Sequence, residues 1–384
     1  MSSPFDEPDL GAGLLRRNQP LEQRAIVLEA DDVCIRIDTP SGAVIPVDHV
    51  SLHLREGEVL GIVGETGSGK TVTCRSLLGL MPSLQATHTG RVSYPGVLDG
   101  NALDLGRRGM RRHWGRYISM IPQNPMTSLN PVHRIGDQIE EAVAAHSTMT
   151  RPQRRARVIE LMTRVGIPVP EKRLRDYPHQ FSGGMLQRTL IAIALAGNPQ
   201  VLIADEPTTA LDVIIQDQIL SLLIDLQRDT GMSLVLVSHD LSVIAQICDR
   251  VAVMYAGQIV ELAATEDILR RPQHPYTAAL LKSLPGAVPR DQPLATITGS
   301  PPRLVDLPAT CRFRPRCSYA QDACGTWTTE LLTAANVVGA GNVGRVRCRR
   351  RAELDLSTDL TVVPTAAGPS EPIAGVHADP SPLH

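Results

Sequence analysis

Val59-Leu60-Gly61-Ile62-Val63-Gly64-Glu65-Thr66-Gly67-Ser68-Gly69-Lys70-Thr71-Val72 is the stretch on which the reading of this chain turns. Its first residues form an apolar run of strand length. Gly64 to Thr71 then fits G-x-x-x-x-G-K-[ST], and Thr71 to Leu80 continues in a helical pattern. Strand, glycine-rich loop and helix in that order is what a phosphate cradle requires. Glycines let backbone N–H groups converge on an anion without a Cβ in the way. The helix that starts after Gly69 points its positive end at the same anion. Lys70 adds a full charge for β- and γ-phosphates, and Thr71 offers a hydroxyl to Mg²⁺. Gly64, Glu65, Thr66, Gly67, Ser68, Gly69, Lys70, Thr71 and Val72 are therefore the candidate nucleotide-binding residues. A chance glycine-rich turn has no reason to sit between a strand and a helix.

Downstream, Val201-Leu-Ile-Ala-Asp205-Glu206 is an apolar strand ending in acid. Asp205 is placed for Mg²⁺ and Glu206 to polarise a water attacking a γ-phosphate. By itself a strand ending in Asp-Glu is common, and its weight comes from the loop upstream. Ser233-Leu-Val-Leu-Val-Ser reads as a second buried strand ending at His239, with a helical pattern from Ile214 to Leu226 between the two. This β-α-β rhythm implies a parallel sheet covered by helices. Upstream, residues 26–63 read as short strands. Residues 131–195 read as mostly helical, with Val158, Leu161, Met162 and Val165 on one face.

A phosphate loop with an acidic strand end is shared by kinases, helicases and GTPases, and the residues between them discriminate. Phe181-Ser182-Gly183-Gly184-Met185-Leu186-Gln187-Arg188 resembles the signature of ABC ATPases. Gln123 resembles their Q-loop glutamine, Ala210-Leu211-Asp212 their D-loop, and His239 their switch histidine, all in the family's order. Gln123-Asn-Pro-Met-Thr-Ser-Leu-Asn-Pro131, Val253-Met-Tyr-Ala-Gly-Gln-Ile-Val-Glu261, His274-Pro-Tyr-Thr277 and Gly299-Ser-Pro-Pro302 leading into Cys311-Arg-Phe-Arg-Pro-Arg-Cys317 narrow the resemblance. They are similar to the ATPases of oligopeptide/dipeptide importers, over roughly residues 26–350. Three departures stand out. Ile37 occupies the place of a usual adenine-stacking aromatic, and residues 6–93 contain no Phe, Tyr or Trp. Leu186 replaces a usual Arg, and Phe181 a usual Leu.

The resemblance implies an α/β fold of the P-loop NTPase ABC type: a RecA-like core, an antiparallel β-subdomain, a helical subdomain at about 124–190 and a small cysteine-containing C-terminal domain. The expected division is a flexible tail at 1–24, the nucleotide-binding domain at 25–263, the C-terminal domain at 264–351 and a disordered tail at 352–384. It also implies that two ATPase subunits meet head to tail, each ATP lying between one chain's phosphate loop and the other's Ser182, Gly183 and Gly184. Lys70 then holds phosphate, while Thr71, Gln123 and Asp205 hold Mg²⁺. Glu206 is the base, His239 contacts the γ-phosphate and Asp212 organises the dimer interface. Asn124 to Pro131 is the expected surface for the permease's cytoplasmic helix. The implied partners are a related second ATPase subunit, two transmembrane permease subunits and an extracellular substrate-binding protein. Peptides are the expected cargo, with nickel or an oligosaccharide as the alternative.

Composition agrees with this reading. The 384 residues are 42% hydrophobic and 20% charged, with formal net charge −2. That balance opposes the rival reading of a soluble ABC ATPase acting on nucleic acid or ribosomes, which calls for a basic surface. No run reaches the ~18 apolar residues needed to span a bilayer, and MSSPFDEPDL lacks an apolar signal core. The expected location is the cytoplasmic face of a membrane, held there by partners. Of seven cysteines, Cys311, Cys317, Cys324 and Cys348 fall late, spaced C-x₅-C, C-x₆-C and C-x₂₃-C. Four thiolates can hold zinc or a [4Fe–4S] cluster. The spread spacing and the resemblance favour a cluster, its charge offset by Arg312, Arg314, Arg316, Arg347 and Arg349. Reduced packing thiols are the other possibility.

Overall fold

The computed structural model describes residues 19–284 except 84, 99 and 210, then 296–333 and 344–357. Most of both expected tails, and Ala210 of the D-loop, lie outside the described residues.

The central sheet is built from the apolar runs. β3 (Val59–Val63), β6 (Val201–Asp205) and β7 (Ser233–Ser238) are buried along their whole length. β3 pairs in parallel with β7 and with β8 (Arg250–Tyr255), and β6 pairs in parallel with β7 and with β5 (Ile118–Ile121). Continuous apolar runs are what a parallel sheet covered on both faces demands. The alternation of side chains divides them between two cores. Val59, Val63, Leu202, Ala204, Leu234 and Leu236 face one cluster; Leu60, Ile62, Val201, Ile203, Val235 and Val237 face the other.

The first cluster is closed by helices. Val158, Leu161 and Met162 of Arg151–Arg164 and the following Val165 are at most 1% exposed, as their periodicity predicts. They pack with Ile135–His146 and Gly183–Leu195. The second cluster is closed by an antiparallel sheet of order β2-β1-β4, where β1 is Ile26–Thr39, β2 is Gly42–Arg55 and β4 is Ala86–Ser93. The strands β1 and β2 are longer than the short strands expected from sequence. Each has 14 residues, bent by register shifts rather than interrupted. Bulges allow one long strand to do the work of several short ones.

The C-terminal region is joined to this core. β9 (Gln258–Ala264) pairs antiparallel with β8, and β11 (Arg345–Val346) pairs antiparallel with β9. With β10 (Leu332–Thr333) the sheet has, among the described residues, eight strands in the order β10-β11-β9-β8-β3-β7-β6-β5. The free edge of β2 meets residues 304–306: Ile45 N donates to Leu304 O at 3.0 Å and Asp306 N to Ala43 O at 3.1 Å. A covered edge cannot recruit a stray strand.

Candidate nucleotide site

Every strand that carries a candidate residue delivers it at its carboxyl end. Gly64 follows β3, Gln123 follows β5, Glu206 follows β6 and His239 follows β7. Neighbouring parallel strands therefore bring to one place residues far apart in the chain, in the crevice where α/β sheets bind ligands.

The loop from Gly64 to Gly69 opens α1 (Lys70–Leu77). Gly69, the N-cap, has φ 103°, and a Cβ there would lie 2.1 Å from Pro46 O. Only glycine fits that close approach. The first amides of α1 have no partner within the helix and face the loop. Lys70 Nζ donates to Gly64 O at 2.8 Å and Glu65 O at 3.1 Å, and lies 3.6 Å from Glu206 Oε1. Burial pulls the Lys70 ammonium below the usual lysine range, and the Glu206 charge pushes the other way. Ser68 Oγ is buried without a hydrogen-bond partner. An orphaned hydroxyl inside a cradle of amides fits a phosphate oxygen as its missing partner.

Thr71 Oγ1 donates to Asp205 Oδ1 at 3.2 Å, so the two oxygen groups expected at Mg²⁺ stand together. A hydroxyl and a carboxylate are the hard donors that ion takes. Burial raises the Asp205 pKa, opposed by the Thr71 hydrogen bond. Glu206 holds the centre of the site. Its φ is 47°, unusual for a residue with a side chain. Its N–H is tied to Val237 O at 3.1 Å. Its carboxylate accepts from Gln123 Nε2 at 2.7 Å and Thr209 Oγ1 at 3.0 Å, with His239 Nδ1 3.9 Å away. His239 and Gln123 are exposed beside it. Val72 lies one residue further along α1 and packs on the second core.

The remaining candidates stand on other elements. Ser182 is the N-cap of Gly183–Leu195 and accepts from Met185 N–H at 3.4 Å. Ser182 and Gly183 are exposed and Gly184 is half-buried. Asp212 caps Val213–Thr230, accepting from Ile215 N–H at 3.0 Å, and is also exposed.

Two family profiles match: "ABC transporter" over residues 47–209 and "Oligopeptide/dipeptide transporter, C-terminal region" over residues 260–324. The dipeptide transport ATP-binding protein DppD of Haemophilus influenzae is 49% identical over 280 residues, covering 72% of this chain and 83% of its own. The chain belongs to the ATP-binding subunits of oligopeptide/dipeptide ABC transporters. The oligopeptide transport ATP-binding protein OppD of Salmonella typhimurium is 42% identical to this ABC subunit over 300 residues, 78% of this chain and 88% of that protein. The dimeric, ADP- and Pi-bound ATP-binding cassette MJ0796 superposes with a TM-score of 0.55 at 25% identity, covering 62% of this chain and 98% of that one.

The cysteine expectation needs correction. Cys311, Cys317, Cys324 and Cys348 of this ABC subunit line one cavity, together with Phe313 and Trp327. Yet among the described residues no group of three or more His, Cys, Asp or Glu is placed to hold a metal ion. The iron–sulfur assignment, with its [4Fe–4S] cofactor, is therefore withdrawn, and zinc with it. All four are free thiols. Burial pushes the Cys311 and Cys317 thiols up and Cys348 to about 12. Three of the arginines expected to offset a cluster are engaged elsewhere. Arg312 pairs with Asp48 at 2.5 Å. Arg316 pairs with Glu65 at 2.8 Å. Arg347 donates to the carbonyls of Ile259, Thr329 and His49. Spacing along the chain did not carry the geometry.

Proposed function

We propose that this ABC subunit hydrolyses ATP to drive peptide import through a membrane permease. The observation that carries the reading is the convergence of Lys70, Thr71, Asp205, Gln123, Glu206 and His239 at the ends of neighbouring strands. In this reading Lys70 and the loop amides hold the phosphates, and Ser68 Oγ gains its partner there. Thr71, Gln123 and Asp205 hold Mg²⁺, which when bound neutralises charge developing on the phosphates. Glu206, already fixed by Gln123 and Thr209, accepts a proton from the attacking water. His239 reaches the γ-phosphate as either imidazole or imidazolium.

Ser182, Gly183 and Gly184 serve the ATP of a facing subunit, and Asp212 with Leu211 organises that contact. The exposure of Ser182 and Gly183 at a helix start supports this, because a helix start is an anion site only if nothing covers it. A related second ATPase, two permease subunits and an external substrate-binding protein complete the assembly. The surface for the permease is Asn124 to Pro131. Within it Met126 is 65% exposed, and Val132 just beyond it is 74% exposed, apolar groups open to a partner. No helix among the described residues is long and apolar enough to cross a membrane. In this reading the subunit meets the membrane through its permease, on the cytoplasmic face. The division into residues 25–263 and 264–351 is kept as the domain reading.

The test uses the full subunit reconstituted with its permease and partner ATPase. Lys70→Ala should lose MgATP binding. Glu206→Gln should keep MgATP but lower hydrolysis by at least about a hundredfold, the loss expected of a removed general base. Transport should fall with hydrolysis in both. A Glu206→Gln subunit that turned over at the unaltered rate would refute the assignment.

A further inference from the structure

The second residue of the phosphate loop carries the wrong charge for its position. Glu65 stands between Gly64 and Thr66, where the loop has to attract an anion, and a free carboxylate there would repel it. In the structure this carboxylate is neutralised from the C-terminal region. Arg316 Nη1 donates to Glu65 Oε2 at 2.8 Å and Nη2 to Glu65 Oε1 at 3.1 Å, a two-pronged pair. The Arg316 side chain is only 7% exposed.

The guanidinium is itself tightly mounted. Its Nε donates to Thr298 O at 2.9 Å and Nη2 to Gly299 O at 3.3 Å. It lies 5.7 Å from the Tyr255 ring centre and 6.0 Å from that of Phe313. Those rings in turn pack on Tyr276 at 4.7 and 5.4 Å. Tyr276 is fully buried, and its hydroxyl accepts the Glu65 N–H at 3.0 Å. The Glu65 carbonyl is held by Lys70. Glu65 is thus fixed at carboxylate, N–H and C=O, and the partners of its carboxylate and N–H both come from beyond residue 264.

We infer that Arg316 is a positioning residue for the phosphate loop, through which the C-terminal region sets the affinity for ATP. Exposed ion pairs contribute little, but this one is shielded, bidentate and braced by aromatic rings, the arrangement in which arginine is not replaceable by lysine. The inference rests on Gly64 to Thr71 being the ATP site. It adds that the site's electrostatics are incomplete without residues the phosphate-loop motif does not contain.

The charge argument makes a prediction that mere structural support does not. MgATP affinity of the full-length subunit is to be measured by titration calorimetry, with thermal unfolding followed in parallel. Arg316→Gln exposes an uncompensated Glu65 and should weaken MgATP binding about tenfold, equivalent to about 1.4 kcal/mol. Adding Glu65→Gln removes the repulsion and should restore affinity to within about threefold. Arg316→Lys keeps charge but not the fork, and should fall between. In the assembled transporter KM for ATP should rise by the same factor while kcat moves less than about twofold. The inference is overturned if Arg316→Gln binds MgATP within about twofold of the unaltered subunit, or if the double variant is no tighter than the single one. Should Arg316→Gln fail to fold, Arg316→Lys with and without Glu65→Gln decides by the same recovery. Lys70→Ala separates the two readings. If it too leaves MgATP affinity intact, the ATP-site reading fails; if it alone abolishes binding, only the role of Arg316 does.

Discussion

Gly69 shows how narrowly single positions are determined. Its left-handed backbone and the carbonyl of Pro46 beneath it leave no room for a methyl group. Gly69→Ala has to displace either the loop or β2, and should abolish MgATP binding while lowering the unfolding midpoint by several degrees, as a cost of about 1–3 kcal/mol at a special backbone position implies. Calorimetry and thermal unfolding on the same preparation check both. At this scale the sequence was most informative where chemistry dictates residue type. The amides, lysine, hydroxyl, two carboxylates, glutamine and histidine of the site were all readable, because phosphate and Mg²⁺ accept few alternatives. The grip of Tyr276 and Arg316 on Glu65 was not, since both lie more than 200 residues away and no spacing rule links them to it. The cysteines failed for the opposite reason: a suggestive spacing existed, but among the described residues the fold sets the thiols in no metal-holding group.

Among the elements, α2 (Pro275–Lys282) joins the C-terminal region to the site through Tyr276. Its N-cap, His274, is 1% exposed, and its Nδ1 accepts Tyr276 N–H at 3.1 Å. Burial lowers the His274 pKa to about 3. The ring is neutral in the folded protein but takes a proton in the unfolded chain below about pH 6.5. Its contribution is therefore complete above pH 6.5 and is lost as pH falls toward 3, by at most about 1.4 kcal/mol per pH unit. His274→Asn keeps a capping acceptor but removes the titration. Its stability should fall less steeply than that of the unaltered subunit between those pH values, in denaturant titrations run across that range. Element type was largely legible: buried apolar runs became strands of a covered parallel sheet, and one face of the Arg151–Arg164 pattern became core. Element length was less so, because bulges in β1 and β2 are set by pairing across the sheet and leave no local signal.

For the whole molecule, the exposed apolar pair after Asp212 is the feature to explain. Val213 is 73% exposed and Ile214 72% exposed, at the start of a helix whose later turns are core. If this corner meets a second ATPase subunit, Ile214→Asp should weaken ATP-dependent association of Glu206→Gln subunits about tenfold or more, as loss of an anchoring contact at an interface does. Its unfolding midpoint should be unchanged, because the side chain is not in the core. Sedimentation with and without MgATP checks the first and a melting curve the second. Assembly is implied only by family likeness; a single chain's composition does not say which of its surfaces is covered.

The pairing of β11 with β9 also sets a timetable. A chain is made from its amino end, so β9 leaves the ribosome long before the two-residue strand that will lie along it. Until Arg345 and Val346 emerge, the sheet has a bare flank and Arg347 has not yet reached the carbonyls of Ile259 and His49. The nascent subunit can form its nucleotide core early, yet that flank stays open to mispairing until Arg345 to Arg347 are synthesised. A stop codon near residue 340 would hold it permanently in that vulnerable state.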